Sequence, residues 1–98
     1  MELTSKQKRW LRGQAHGLDA LVQVGKAGLS EGVVARTDSV LRDHELMKVR
    51  FGAERAERSR QADELAAATG AELVGAIGRV AILYRRQDDP ERRKYELP

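Results

Sequence analysis

Segments with helical periodicity alternate along this chain with short segments of strand character. Two helices begin at capping residues, Thr4 and Ser30, and a third begins at Glu54. Because strands separated by helices join through crossover connections, the alternation predicts a single compact α/β domain with a mixed, mostly parallel four-stranded sheet packed by helices. The predicted order is α-β-α-β-α-β-β, with helices over residues 4–16, 30–44 and 54–69 and strands over residues 20–24, 46–51, 72–77 and 80–84.

The two ends of the chain differ in their local signals. Thr4 and Gln7 have the spacing of a capping box, in which two side chains bond the free amides of a first helical turn. Residues 85–98, in contrast, are charged and have no apolar period. They predict a loose tail, which could dock back on the domain through Tyr95 and Leu97.

Residue types that are absent or scarce exclude several classes of protein. The chain has no cysteine, which excludes a disulfide framework, a cysteine nucleophile and a cysteine-ligated metal. Its apolar runs are short and its first residues lack a signal-peptide pattern, so we expect a cytoplasmic protein without a membrane segment. No serine or carboxylate pair has catalytic or metal-binding spacing. We therefore predict that the protein is not an enzyme and needs no metal or cofactor.

Positive charge is concentrated at the start of the chain. The sequence has 18 lysines and arginines against 15 acidic residues, a net charge of +3, and residues 1–28 account for all of this excess. On the first predicted helix, Lys6, Lys8, Arg9 and Arg12 fill the arc opposite the apolar one. Such an arc attracts polyanions through Coulomb forces and counterion release. Charge alone leaves open whether the arc binds nucleic acid or is merely solvated.

The tetrad Gly25-Lys26-Ala27-Gly28 lies between a predicted strand and the helix that Ser30 caps. Backbone amides at a helix start favour an anion, and glycines let a phosphodiester approach closely. KH domains hold nucleic-acid backbone with a GxxG loop in this setting. The pattern is short, so a plain strand-to-helix turn stays open as an alternative. A second copy, over residues 75–78, precedes no helix and is predicted to be a strand that ends in a turn.

Aromatic residues are too few to form a base-stacking surface on the sheet. The chain has one Trp, two Tyr and one Phe. We expect Phe51 to lie in the core, and Trp10 to be buried or partly buried rather than stacked on a base. Contacts to nucleic acid should then be mainly with phosphate and sugar, with an affinity that falls steeply with salt. Lys48 and Arg50, on the outer side of their strand, and Arg85 would extend the same surface.

Four stretches of the chain occur in the order found in one known family. They are Leu3-Thr4-Ser5-Lys6-Gln7-Lys8 with Leu11-Arg12 and Ala15-His16, Val24-Gly25-Lys26-Ala27-Gly28-Leu29-Ser30 with Val33, His44-Glu45-Leu46-Met47-Lys48-Val49-Arg50, and Ile77-Gly78 with Leu83-Tyr84-Arg85. Together they resemble the CRM domain, named for chloroplast RNA splicing and ribosome maturation. The resemblance is to its stand-alone bacterial YhbY-type members in particular. Ala27 stands where these relatives often have a polar residue.

The resemblance implies a fold like the C-terminal domain of bacterial translation initiation factor three. It also implies RNA binding in precursors of the large ribosomal subunit, through the glycine loop and the basic first helix. The residues carried over are Gly25, Lys26, Gly28, Lys6, Lys8, Arg9 and Arg12. We therefore predict a monomeric RNA-binding domain over residues 1–86 and a charged tail over residues 87–98. Two alternatives stay open: an adaptor for a ribosome-associated protein, and a nonspecific binder of duplex DNA.

Overall fold

Three helices and four strands follow one another in the predicted order, and a short 3-10 helix lies in the tail. The computed structural model describes residues 2–98. Its elements are α1 (Ser5–Ala15), β1 (Ala20–Val24), α2 (Glu31–His44), β2 (Leu46–Phe51), α3 (Arg55–Thr69), β3 (Glu72–Ile77), β4 (Val80–Tyr84) and the 3-10 helix (Pro90–Arg92). None of the helices within the described residues is long and apolar enough to cross a membrane. The predicted α/β domain with a four-stranded mixed sheet is confirmed.

β4 occupies an interior position in the sheet, and this position makes the sheet mixed. The strand order is β1-β2-β4-β3, in which β1 and β2 are parallel and β4 is antiparallel to both of its neighbours. The prediction of a mostly parallel sheet is therefore wrong. The crossover through α3 makes β3 run in the direction of β2, but it places β3 two strand positions away from β2. β4, which follows β3 through a hairpin, occupies the position between them. An interior strand is buried on both faces, and β4 is accordingly apolar throughout.

Helices cover both faces of the sheet, and each face has its own core. α2 and α3 pack on one face over a larger core, and α1 packs on the other face over a smaller core. The larger core contains Val22, Val24, Leu41, Met47, Val49, Phe51, Ala62, Leu65, Ala66, Ala81 and Leu83. The smaller core contains Leu3, Leu11, Ala15, Leu46, Val74, Ile82 and Tyr84.

Three loops meet where the strands β1, β2 and β3 end, on one side of the sheet that we call the loop edge. β1, β2 and β3 run in the same direction, so their carboxyl ends lie together. The loops that leave these ends comprise residues 25–30, 52–54 and 78–79. The amino ends of α2 and α3 lie there as well, because each helix follows its loop directly. The opposite edge carries the carboxyl ends of these two helices and the start of the tail.

A capping box begins α1 and a glycine ends α3, both where the sequence predicts. Thr4 Oγ1 accepts a hydrogen bond from the Gln7 amide at 3.1 Å, and the Thr4 amide donates to Gln7 Oε1 at 3.0 Å. The predicted capping box is thus present, and it satisfies two amides that the helix leaves free. Gly70 ends α3 with a φ of 67°, in the left-handed region that glycine adopts at low cost.

Glu45 attaches the tail to the domain, and the interpretation of residues 85–98 as a loose segment is wrong. Glu45 is buried between α2 and β2, and its carboxylate accepts hydrogen bonds from three backbone amides. These belong to Gln87 (2.7 Å), Lys94 and Tyr95 (3.3 Å). These bonds hold the backbone of the tail, and backbone contacts leave no periodic pattern in a sequence.

Tyr95 and Leu97 pack against the smaller core, so their predicted docking is confirmed. The Tyr95 ring meets Trp10 edge to face, with ring centroids 6.3 Å apart. Burial, and secondarily the charge of Glu45, raises the pKa of Tyr95. The end of the tail also reaches α1, because Gln7 Nε2 donates to the Pro98 carbonyl at 3.1 Å.

Candidate nucleic-acid interface

The glycine loop, residues 25–28, forms a tight turn at the loop edge. The Gly28 amide donates to the Gly25 carbonyl at 3.0 Å, and Gly28 has a φ of 88°. Any other residue would be strained at that φ, so the second glycine of the tetrad is required by the backbone. Lys26 and Ala27 form the exposed tip, and open space surrounds Gly25 where a side chain would begin. An anion can therefore approach the backbone on the Gly25 side.

Two neighbouring segments support the glycine loop. The Gly52 amide donates to the Val24 carbonyl at 2.8 Å, which joins the loop before α3 to the end of β1. Gln61 of α3 packs against Gly28, where an added Cβ would lie 3.3 Å from Gln61 Nε2. Gln61 is 3% exposed, and its Oε1 has no hydrogen-bond partner within residues 2–98. Sequence analysis missed Gln61, whose one signal is a glutamine directly beside the apolar stripe of α3.

Ser30 begins α2 and uses its hydroxyl for the helix itself. Its Oγ accepts a hydrogen bond from the Val33 amide at 3.2 Å. The predicted cap is thus present, and it accounts for a serine at this position without a ligand. Glu31 follows in the first turn, where a carboxylate complements the helix dipole. A contact between Ser30 and RNA stays a prediction.

α1 presents cationic residues on the face of the sheet opposite α2. Lys6 and Arg9 are exposed, and Lys8 is half-buried beside the apolar arc. The glycine loop, in contrast, leads into α2 on the other face. The cationic arc and the loop therefore lie on different sides of the sheet, an arrangement that their closeness in sequence does not indicate.

Arg12 differs from the other cations of α1 because its guanidinium is bonded to the sheet. Arg12 Nη1 donates to the Val74 carbonyl at 2.8 Å. The side chain runs over Gly75, where an added Cβ would come within 2.5 Å of Arg12 Cδ. The second GxxG tetrad is thus a strand that ends in a turn, as predicted, and its first glycine makes room for Arg12. A contact between Arg12 and RNA stays a prediction.

Lys48 and Arg50 of β2 lie on the α1 face, between the end of α1 and the loop edge. Lys48 Nζ donates to the His16 carbonyl at 3.3 Å, just after α1 ends. Arg50 is exposed and pairs across the sheet with Gln23, one residue before β1 ends. These two side chains therefore lie between the end of α1 and the end of β1 that leads into the glycine loop, and their binding to RNA stays a prediction.

Arg85 lies at the edge of the sheet opposite the glycine loop. Its Nη1 donates to Asp38 Oδ1 at 2.6 Å and to the Thr69 carbonyl at 2.8 Å, which joins α2 to the end of α3. β4 lies between Arg79, at the loop edge, and Arg85. Because β4 is extended, these two residues are about 20 Å apart. The structure thus places Arg85 apart from the other predicted contacts, and its binding to RNA stays a prediction.

Protonation of Asp38 is expected to remove the ion pair with Arg85. The hydrogen bond from Arg85 holds the pKa of Asp38 below its usual value of 3.8. A carboxylate with a lowered folded-state pKa stabilises the fold above its unfolded pKa, and loses this effect as the pH falls through the folded value. Because Asp38 is 36% exposed, Asp38→Asn should lower the free energy of unfolding by only about 0.5–1 kcal/mol at neutral pH. Urea titrations at neutral and acidic pH should show this difference vanish in acid, and a constant difference would contradict the assignment.

The family model described as the CRS1 / YhbY (CRM) domain matches residues 3–85, from just before α1 to the end of β4. The chain belongs to the CRM domain family. It is 40% identical over 93 residues to a "Probable RNA-binding protein" of Pseudomonas aeruginosa, a match that covers 94% of this chain and 89% of the relative. An "RNA-binding protein" of Haemophilus influenzae is 39% identical over 97 residues, covering 98% of this chain and 95% of the relative.

A solved structure shares the fold of this CRM domain. It is the solution structure of a hypothetical protein from Staphylococcus aureus, described as a candidate RNA-binding protein. The two structures superpose with a TM-score of 0.84 at 37% sequence identity, over 99% of this chain and 100% of the other. The resemblance seen in the sequence and the predicted α/β domain with a four-stranded mixed sheet are both confirmed.

Proposed function

We propose that this CRM domain binds the phosphate backbone of structured RNA and assists maturation of the large ribosomal subunit. The proposed surface joins the glycine loop to the cationic side of α1 through two residues of β2. It comprises Lys6, Lys8, Arg9, Arg12, Gly25, Lys26, Ala27, Gly28, Ser30, Lys48 and Arg50. Arg85, at the opposite edge of the sheet, is proposed as a separate contact with RNA. In this proposal residues 1–86 are the RNA-binding unit and residues 87–98 a charged tail. The protein acts in the cytoplasm as a monomer, without catalysis or a cofactor.

The geometry of the glycine loop carries the proposal. An exposed lysine lies at the tip of a turn whose Gly25 side is open, directly before a helix whose first amides are partly free. Amides at a helix start bind phosphate groups, and the absence of Cβ atoms lets the backbone approach. This combination suits a phosphodiester better than it suits an extended protein segment, which needs an open strand edge or an apolar groove.

The positions of the aromatic side chains favour backbone contacts over base stacking at this surface. Phe51 and Tyr84 are buried, and Trp10 and Tyr95 pack against each other. Without exposed aromatic platforms, the main contacts are ionic, so we expect the affinity for RNA to fall steeply as salt is raised. The names of the relatives support RNA over duplex DNA as the polyanion. The ribosomal part of the proposal rests on the family resemblance.

Sedimentation of the protein in a sucrose gradient of growing-cell lysate tests the proposed function. We expect the protein to migrate with the large subunit or its precursors at low salt and to move to the top of the gradient at raised salt. The reason is that contacts to phosphate release counterions and weaken as salt rises. Nuclease treatment before centrifugation should release the protein as well.

Two other results would contradict the proposal in different ways. Protein that stays at the top of the gradient at both salt concentrations would remove the ribosomal assignment. Protein that still sediments with other proteins after nuclease treatment would support the adaptor alternative. Direct protein contact is tested separately. A ribosomal protein purified from the same fractions is mixed at equal concentration with the CRM domain, and binding between the two is measured.

A further inference from the structure

A cleft of about 440 Å³ opens at the loop edge between α3 and the β3–β4 hairpin. It lies on the face of the sheet opposite α1 and is separate from the glycine loop. Arg55, Arg58 and Ser59 line it from α3, and Ala76 and Arg79 line it from the hairpin. Side chains of the larger core form its floor. The cleft thus combines an apolar base with three guanidinium groups.

The arginines of this cleft have no carboxylate partner in the part of the chain that the structure describes. Within residues 2–98, the ion pairs of α3 join Arg60 to Glu57 and Glu64, and no ion pair involves the three cleft arginines. None of the described residues that line the cleft is acidic. Positions 55, 58, 59 and 62 follow the i, i+3, i+4, i+7 spacing of one helix face, and Arg60 with its partners lies on the other. α3 therefore directs unpaired positive charge toward the cleft.

Backbone carbonyls hold two of the guanidinium groups in place. Arg79 Nη1 donates to the Gly52 and Ala53 carbonyls, at 3.2 Å each, and Arg58 Nη1 donates to the Ala53 carbonyl at 3.1 Å. A guanidinium has five N–H donors, so both groups keep donors for a further acceptor. Side chains that are already ordered lose less entropy when they bind a ligand. The cleft is therefore preorganised for an anion.

One short segment connects the cleft to the glycine loop. The Gly52 amide donates to the Val24 carbonyl at the end of β1, while the Gly52 carbonyl accepts from Arg79. β2 is the one strand between β1 and β4, so the end of β1 and the start of β4 lie two strand spacings apart at the loop edge, about 10 Å. The glycine loop and the cleft are thus near enough for one nucleic-acid strand to contact both.

We propose that the cleft binds an unstacked nucleotide of the RNA that the glycine loop holds. This inference rests on the proposed function and adds a second contact to it. The apolar floor covers one face of a base, and the arginines bind the adjacent phosphate and stack on the base. The volume lies in the range of pockets for small ligands, about 300–1,000 Å³, so a single nucleotide fits and a duplex does not. The carboxylates of an acidic peptide would pair with the arginines but would leave the apolar floor of the cleft uncovered.

Fluorescence anisotropy with two labelled RNA hairpins tests the cleft. One hairpin is blunt, and the other carries single-stranded uridines at both ends. Wild-type protein should bind the extended hairpin roughly tenfold more tightly, because arginine stacking on one base adds to the contact with its phosphate. Ala76→Glu places a carboxylate at the cleft and should abolish this preference. Ala67→Glu makes the same change at an exposed site of α3 that does not line the cleft, and should preserve it.

A second pair of variants keeps the test valid if Ala76→Glu does not fold, which thermal melting will show. Arg55→Gln neutralises an exposed cleft arginine, and Arg60→Gln neutralises an exposed arginine on the other face of α3. If the preference for the extended hairpin is absent in wild type or persists in Ala76→Glu and Arg55→Gln, the cleft proposal is wrong and the proposed function stands. If wild type binds neither hairpin, the proposed function fails, and the cleft proposal with it.

Discussion

Replacing Lys26 and Arg9 together by glutamate is expected to lower the affinity for structured RNA about 100-fold while the melting temperature hardly changes. Both side chains are exposed, one at the tip of the glycine loop and one on the outer side of α1. Each substitution removes an attraction to phosphate and adds a repulsion, and a tenfold loss per site corresponds to about 1.4 kcal/mol. Anisotropy titrations over a range of salt concentrations should also show a salt dependence weaker by about one unit of slope per lost phosphate contact.

The matched control for this variant is the double substitution Arg86→Glu and Arg92→Glu. It changes the net charge by the same amount, at exposed positions of the segment that leaves the sheet opposite the loop edge. If affinity depends on net charge alone, the two double variants will lose equal affinity, and the proposed surface is then wrong. If the surface is local, the control should retain most of the binding, because charges farther apart than about 10 Å are largely screened at moderate salt.

Replacing Glu45 by alanine is expected to lower the free energy of unfolding by about 3 kcal/mol and to release the tail from the domain. The Glu45 carboxylate is buried and accepts three backbone hydrogen bonds from the tail, and bonds to a charged group contribute about 1.5–3 kcal/mol. The exposed amides regain water when the tail leaves, which limits the total loss. For a chain of this size the melting temperature should fall by roughly 10–20 °C. Circular dichroism melting measures this change.

Fluorescence of Trp10 reports on the tail in the same variant. Trp10 is the one tryptophan in the sequence, and Tyr95 packs against it. Its emission should shift to longer wavelength in Glu45→Ala before the domain unfolds, since release of Tyr95 exposes the indole to water. Glu96→Gln, which alters an exposed carboxylate of the tail, should leave both melting and emission unchanged. An unshifted emission in Glu45→Ala would show that the tail is held by other contacts.

The backbone conformation of Glu45 is unusual, and the neighbouring sequence does not indicate it. It follows α2 with a φ of 63°, a region that residues other than glycine rarely adopt. This conformation persists because its side chain binds the tail and its carbonyl accepts the Arg85 amide at 2.8 Å. Glu45→Ala keeps the backbone cost and removes the side-chain bonds, so the variant isolates the contribution of the carboxylate.

The sequence by itself determined the secondary structure and the glycine loop. The capping box of Thr4 and Gln7, the cap at Ser30 and the alternating residues of β2 each depend on side chains a few positions apart. Such interactions are local, so they are present in the sequence pattern before any tertiary contact forms. The loop between β1 and α2 was predictable for the same reason, since its glycines, its lysine and the helix cap are contiguous.

Only the tertiary structure decided which elements became neighbours and which cations remained free for a ligand. β4 lies between β2 and β3, where its apolar side chains are buried on both faces. Since β4 runs opposite to both neighbours, this position makes two of the pairings antiparallel. Arg12 and Arg85 are bonded to carbonyls and a carboxylate far away in sequence, whereas Arg55, Arg58 and Arg79 converge on one cleft from separate elements. Contacts of this kind join residues that are distant along the chain, and they depend on how layers pack. No local spacing encodes them.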